Sequence, residues 1–422
     1  MAKDNKKSNG LSNLLIIALI ACFPQLVKAQ ANQNQQYLQK VGVLDSLYSE
    51  ILEESRKFYV QIPAGYNSEK DQKYPVAFIL DGEIFLPTVN DVQNYYSGGF
   101  TPEMVLVGIA NDKSRVRDLT TSAITTNYGM PFIEKNGEAE NFRKFMENEL
   151  IPFIESKYPV TNYRTLIGHS YGGLFTISTL IHQPDLFANY LAIDPSLDWD
   201  DQQLLKQTQN SQPVELEGKA LFMAMSGQLQ MRDPTITIDN LMQDTSDFTL
   251  FSRSNVQFSN LLKEKGKGLN SYRKFYPKDI HGTVPLPSML DGMLALFQWY
   301  QMEQTDKFNS PDTPKDELYE IVKYRAKKLE THFGYAVPPY PEELMNMSGY
   351  MNLDMEQPDK AKMFFELAAE YYPTSANAFD SLADYYESQN DYANALKAVT
   401  KAYALSGSDY HRERMEALGK ED

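Results

Sequence analysis

From position 55 to position 300, short apolar runs alternate with longer stretches whose apolar residues recur every three or four positions. This alternation predicts an α/β domain, a mostly parallel sheet flanked by helices. Residues 56–62 alternate, with Phe58, Val60 and Ile62 on one face. Residues 74–80 are almost continuously apolar, as a strand covered on both faces must be. Residues 104–109, 190–193 and 220–225 read the same way, and 271–276 reads as the last strand. Residues 141–158 predict an amphipathic helix through Phe142, Phe145, Met146, Leu150, Phe153 and Ile154, and 289–300 another. The polar stretch 228–255 predicts an irregular excursion over the sheet edge.

Beyond residue 305 the pattern changes. Residues 306–315 hold Pro311 and Pro314 among Asp, Asn, Ser and Thr, a linker composition. Residues 316–422 are helical throughout, beginning with the stripe Leu318, Ile321, Val322, Ala326 and Leu329. A period of 34 sets Ala361 over Ala395, Phe365 over Val399, Ala368 over Ala402 and Gly349 over Ala383. The segment resembles tetratricopeptide repeats. Two such units are too few to stand alone, so they are expected to dock on the α/β domain, as a packing appendage or as a groove for a protein partner or for gating substrate.

The first 29 residues form an export leader. Lys3, Lys6 and Lys7 precede an apolar run over residues 14–23, and the segment closes on Val27-Lys28-Ala29. The run is too short to span a bilayer. An alternative is Leu19-Ile20-Ala21-Cys22, a lipobox-like stretch in which Cys22 would be acylated, the one route to a membrane. Both predict an exported protein, periplasmic or secreted, or lipid-anchored at a bacterial envelope. The 422 residues carry a net charge of −16, which disfavours nucleic acid as a partner. Five histidines and one cysteine offer neither a disulfide framework nor a metal-ligand spacing, and no phosphate loop is present, so no cofactor is implied.

Candidate chemistry centres on Gly168-His169-Ser170-Tyr171-Gly172, entered from an apolar strand and left through a helix striped by Leu174, Ile177 and Leu180. A serine on such a strand-to-helix elbow is held in a strained turn with its hydroxyl exposed above a helix N-terminus. It needs a base. His169 lies inside the elbow, His182 on the exit helix, and His332 and His411 in the helical region. His281 remains, on the turn Lys278-Asp279-Ile280-His281-Gly282 after the last strand. An oxyanion would take the amide of Tyr171 and one from Gly82 or Glu83, after the strand ending at Leu80. For the acid, Asp233 is the first carboxylate after the strand 220–225, followed by Asp239, Asp244 and Asp247. A dyad without an acid is the remaining alternative. Arg115 and Arg117, with Asp118, follow a buried strand where ligands of open sheets gather. They read as a substrate clamp or as a structural ion-pair cluster. Tyr95 and Tyr96 are candidates for the mouth of the site.

Five separated blocks carry a family resemblance: 76–85 (VAFILDGEIF), 105–119 (VLVGIANDKSRVRDL), the elbow, 192–199 (AIDPSLDW) and 281–287 (HGTVPLP). Across residues 50–300 they resemble the putative-esterase family of α/β hydrolases. That family includes siderophore esterases, S-formylglutathione hydrolase, feruloyl and acetyl-xylan esterases and mycolyltransferases. The resemblance implies an α/β-hydrolase domain over 30–305, Ser170 as nucleophile and His281 as base, acting on a small-molecule or glycan ester such as a siderophore, feruloyl or acetyl ester. Asp194 stands where the family's block has serine. The siderophore branch tolerates a displaced or missing acid. Two rivals share these motifs: an acyltransferase of the same fold, and a non-catalytic protein that binds partners through its helical repeats.

Overall fold

The computed structural model describes residues 40–420, apart from 65, 67–71, 230–232 and 234. The leader read at 1–29 and Cys22 lie outside the described residues.

The buried apolar runs become the centre of an eight-stranded sheet. Its strands are β1 (Val43–Ser49), β2 (Glu54–Gln61), β3 (Tyr74–Ile79), β4 (Val105–Ile109), β5 (Val160–His169), β6 (Asn189–Ile193), β7 (Ala220–Ser226) and β8 (Asn270–Tyr276). Their spatial order is β1-β2-β4-β3-β5-β6-β7-β8. β2 pairs antiparallel with β1 and with β4, and every other pair is parallel. All residues of β3, β4, β6 and β7 are buried, as strands covered by helices on both faces require. Fold class is therefore as expected, the mostly parallel sheet read from the pattern and the α/β-hydrolase arrangement implied by the resemblance, followed by an all-helical region.

Helices cover both faces. α1 (Gly82–Tyr96) follows β3, and α4 (Tyr171–His182) follows β5. The predicted helix 141–158 is α2 (Ala139–Phe145) and α3 (Ile151–Lys157) joined by a π turn at Met146–Leu150. Pro152, which has no N–H to give the preceding turn, sits just beyond it. α5 (Trp199–Asn210) follows β6, and α7 (Pro285–Leu296) follows β8. Two elements depart from expectation. β1 is an edge strand with Val43 and Leu44 exposed, so it carries no apolar signature. The excursion after β7 ends in a regular helix, α6 (Leu250–Lys265), whose buried face includes Ser252, Ser254 and Asn255 besides Phe258 and Leu262.

The helical region holds α8 (Lys315–Phe333), α9 (Glu342–Asp354), α10 (Pro358–Tyr371), α11 (Ala376–Ser388), α12 (Tyr392–Ser406) and α13 (Asp409–Leu418). α9 and α11 begin 34 residues apart, as do α10 and α12. The paired positions Ala361 and Ala395, Phe365 and Val399, Ala368 and Ala402 are all fully buried. Volume is conserved between the units. A Cβ on Gly349 would lie 2.6 Å from the Phe365 ring, whereas the second unit pairs Ala383 with the smaller Val399. The region docks on the sheet domain through an aromatic seam. Trp299 stacks on His332 (4.2 Å), Tyr163 meets Phe333 edge-on (5.0 Å), and Thr161 and Tyr335 share a hydrogen bond of 2.7 Å. The seam therefore meets β5 at its N-terminal end, opposite the elbow.

Candidate active site

β5 runs into Ser170, and α4 starts at the next residue. Ser170 adopts φ 59° and ψ −117°, a conformation that non-glycine residues avoid. The turn is held from three sides: Ser170 N–H donates to the Ile193 carbonyl (3.0 Å), and its carbonyl accepts from Leu174 (2.9 Å) and Ser196 (3.1 Å). Close approach explains two glycines. A Cβ on Gly168 would lie 2.2 Å from the Gly172 carbonyl oxygen, and one on Gly173 2.8 Å from the Pro195 side chain. Gly172 has ordinary room, with Leu80 at 3.5 Å. The strand-to-helix approach thus rests on Gly168, and the extra glycine at 173 admits the β6 loop.

His281 reaches this turn from the far end of the domain. Its backbone N–H donates to Gln228 Oε1 (3.0 Å) and its carbonyl faces His169 Nε2 (3.0 Å). Its ring lies 4.5 Å from the His169 ring and edge-on to Phe251 at 5.4 Å. Burial lowers the His169 pKa to about 4, so that imidazole is neutral at physiological pH and gives its Nε2 proton to the carbonyl. His169 fixes the turn that carries His281.

The partner of His281 is Asp194. Asp194 Oδ2 lies 2.7 Å from His281 Nδ1, and Asp194 Oδ1 accepts the Ser226 amide at 3.0 Å. Asp194 is 2% exposed and sits at φ 42°, a left-handed conformation that aspartate adopts more readily than most residues. Asp233 does not occupy this place. It is exposed, and its Oδ1 accepts from the Thr235 amide and hydroxyl. The carboxylate comes from the end of β6 rather than from beyond β7, because the two strand ends are neighbours: Asp194 N–H donates to the Ala224 carbonyl (3.0 Å). With its proton on Nδ1 facing Asp194, the His281 imidazole leaves Nε2 as an acceptor. Ser170 Oγ is paired with Ser196 Oγ at 3.2 Å, and among the described residues no hydrogen bond joins it to His281.

The expected amides stand at two helix N-termini, where first-turn N–H groups lack intrahelical partners. Tyr171 opens α4, while Gly82 and Glu83 open α1. Asp81 turns the chain into α1 in a left-handed conformation (φ 52°), its N–H donating to Asn111 Oδ1 at 3.1 Å. Gly82 is required by packing, since a Cβ there would lie 2.2 Å from the Gly108 backbone.

The two arginines separate. Arg115 is at the site: its Nε donates to Asp81 Oδ1 (2.8 Å), one terminal nitrogen to the His169 carbonyl (3.1 Å), and its guanidinium lies over the Tyr171 ring (5.4 Å). Arg117 is not. It donates to Glu54 and to Asp118, whose other oxygen binds Arg56. Arg117 belongs to a largely buried ion-pair cluster tying β2 to the segment after β4, where all three of its nitrogens donate to Glu54 or Asp118. Glu54 is held at a pKa of about 2, chiefly by its hydrogen bond to Arg117. Tyr95 and Tyr96 also lie elsewhere. With Thr88, Val92, Leu286 and Leu290 they line a cavity of about 480 Å³ between α1 and α7 that holds none of Ser170, His281 or Asp194. The concentration of positioned polar groups, not the volume, marks the serine site as the functional one. Among the described residues no cluster of three His, Cys, Asp or Glu side chains could hold a metal ion.

Sequence reasoning missed Asp194, Ser196 and Gln228. The signal for the first was present as the single departure from the family's serine block.

Comparison with known proteins places this chain among esterases by similarity. Residues 49–255 match the family described as "Putative esterase". The ferri-bacillibactin esterase BesA of Bacillus subtilis is 27% identical over 230 residues, 48% of this chain and 76% of that protein. The apo-salmochelin esterase of Escherichia coli is 27% identical over 233 residues, 53% of this chain and 69% of that protein. Among solved structures, an IroE-like serine hydrolase from Shewanella oneidensis superposes with a TM-score of 0.61 at 25% identity, covering 78% of this chain and 99% of that one.

Proposed function

We propose that this chain, whose residues 49–255 match the putative-esterase family, hydrolyses esters through an acyl-enzyme on Ser170. The carrying observation is the His281–Asp194 pair of 2.7 Å brought to the strained elbow of Ser170. In the reaction the Ser170 hydroxyl exchanges Ser196 for His281 Nε2, a contact that tightens when substrate binds. Ser170 Oγ attacks the ester carbonyl while Nε2 takes its proton. Asp194 holds the imidazole in the required tautomer and balances the imidazolium charge. The amides of Tyr171 and of Gly82 or Glu83 receive the oxyanion. Nε2 then returns the proton to the leaving alkoxide, and water, activated by the same imidazole, releases the acid.

The substrate we propose is an ester of the siderophore type, supported by what the two bacterial relatives act on. Arg115 would line its path as an anchored guanidinium with one face on Tyr171. Export through the leader at 1–29 suits such a role, and the tetratricopeptide-like helices, whose seam lies away from the elbow, suit a protein partner better than a gate over the serine. Hydrolysis of a catecholate trilactone, followed by chromatography, tests the reading. Ser170→Ala is expected to abolish turnover without changing the thermal unfolding of the protein, and undiminished turnover in that variant rejects it.

A further inference from the structure

The helix α9 turns Met345, Asn346, Gly349 and Asn352 inward and leaves its opposite side to solvent. On that outer side Met347 and Met351 stand one turn apart, and Met355 follows just past the last turn. The three are 53%, 50% and 40% exposed, an apolar stripe where a solvent-facing helix would carry charge. Tyr350 borders it, with its hydroxyl on Asp384 (2.6 Å) and its ring edge-on to Phe365 (4.9 Å). Single exposed apolar residues are ordinary, but a run of flexible thioethers along one face marks a surface made for contact.

The second repeat shows what this face does inside a stack. In α11, Ser381 and Tyr385 take the places of Met347 and Met351, 34 residues on, and they are only 4% and 6% exposed. The first repeat covers them: the Tyr385 ring lies 6.3 Å from that of Phe365 and joins its apolar cluster with Ala361 on α10. Stacked repeats bury this face of each unit against the unit before it. Before the first unit comes α8, but its Lys323 pairs with Glu370 and lies over the Tyr371 ring (4.9 Å), which sets that helix along α10. The methionine face of α9 is the open end of the stack.

Charge decides the occupant. α9 contains no Lys or Arg. Glu343 stands one turn before Met347, Asp354 one turn after Met351, and Glu356 follows Met355; all three are exposed, and among the described residues none is in an ion pair. The acidic field continues onto the sheet domain, where burial and then Glu343 push the Glu103 carboxyl up. A second copy laid on this face would set these carboxylates against their own kind. We propose that the outer face of α9 receives a basic amphipathic helix of a partner protein, its apolar residues on the three methionines and its Lys or Arg on Glu343, Asp354 and Glu356. This rests on the partner reading of the helical region and asks nothing of Ser170, so binding rather than turnover tests it.

The experiment is fluorescence anisotropy of two labelled peptides, KLLKKLLKLLKKLLK and its acidic twin ELLEELLELLEELLE, each titrated with the full chain. The basic peptide is expected to bind at least about tenfold more tightly than the twin. The triple substitution Met347→Gln, Met351→Gln and Met355→Gln keeps net charge and helix propensity, and should weaken the basic peptide by about tenfold or more. Met351→Gln alone should fall between, which keeps the test valid should the triple variant unfold, and thermal unfolding of both is followed alongside. Equal affinity in wild type and variants would reduce the attraction to net charge and overturn the proposal. So would no binding of the basic peptide, or equal binding of the twin. A basic peptide that cross-links to helices other than α9 overturns this site while keeping the partner reading. A dimer of the protein dissolved by the triple substitution overturns it by giving the face to a second copy.

Discussion

Asp194 divides its carboxylate between the Ser226 amide and the His281 imidazole, and the division makes its substitution informative. In Asp194→Asn the Ser226 N–H retains the amide oxygen, and the NH2 then faces Nδ1. The imidazole must move its proton to Nε2, where it can no longer accept from Ser170. A loss of about 10³–10⁴ in kcat is expected, with little change in fold. Asp233→Asn is expected to stay within about twofold, since among the described residues that exposed side chain closes a turn with Thr235 and meets neither Ser170 nor His281. Steady-state hydrolysis of 4-nitrophenyl acetate by the two variants checks both, and the reverse order would return the acid to Asp233. Ser170 and His281 were legible because the elbow is a local pattern and few histidines compete. Asp194 was not, because its seat depends on β6 and β7 ending side by side, which no local pattern encodes.

Among elements, the antiparallel strand β2 is joined to the turn that carries Arg115 by Glu54, Arg56, Arg117 and Asp118. The Arg117 hydrogen bond holds the Glu54 carboxyl at a pKa of about 2, well below the usual glutamate range, so the unfolded chain binds its proton first. Its contribution to stability is complete above about pH 5 and disappears as the pH falls from there toward 2. Glu54→Gln should therefore lower the melting temperature at pH 7, and the gap to wild type should narrow steadily on acidification below pH 5. A gap that is constant with pH would contradict the ion-pair account. The strands covered on both faces were readable from their unbroken apolar runs. β1 and α6 were not. The first is an exposed edge, and the second packs serines and an asparagine inward, with Ser254 bonding back to the Leu250 carbonyl (2.6 Å).

At the scale of the molecule, the helical region grips the ends of the elements that carry the chemistry. β5 begins beside Tyr335 and Phe333 and ends at Ser170, and α7 begins just after His281 and leads to Trp299, which stacks on His332. Phe333 is 6% exposed and touches Tyr163, Trp299 and Tyr300. Phe333→Ala is expected to cost about 3–5 kcal/mol in denaturant unfolding, the usual range for a buried aromatic. The rate of Ser170 acylation at low denaturant should change little, because the seven residues of extended strand between Tyr163 and Ser170, roughly 23 Å, separate the Phe333 contact from the elbow. A variant of wild-type stability would show that the seam is not an interface. The 34-residue repeat was plain in the sequence because small and large contact positions recur at fixed spacing. Its place on the sheet was not, since docking is decided by aromatic residues scattered over 161–335.

The proposed mechanism places the covalent intermediate on Ser170 alone. Treating the wild type with a fluorophosphonate and mapping the adduct by peptide mass spectrometry tests it directly. A single modification on Ser170 is expected, absent from Ser170→Ala and slowed by orders of magnitude in His281→Ala. An unlabelled wild type, or a label on another residue that Ser170→Ala retains, would contradict it.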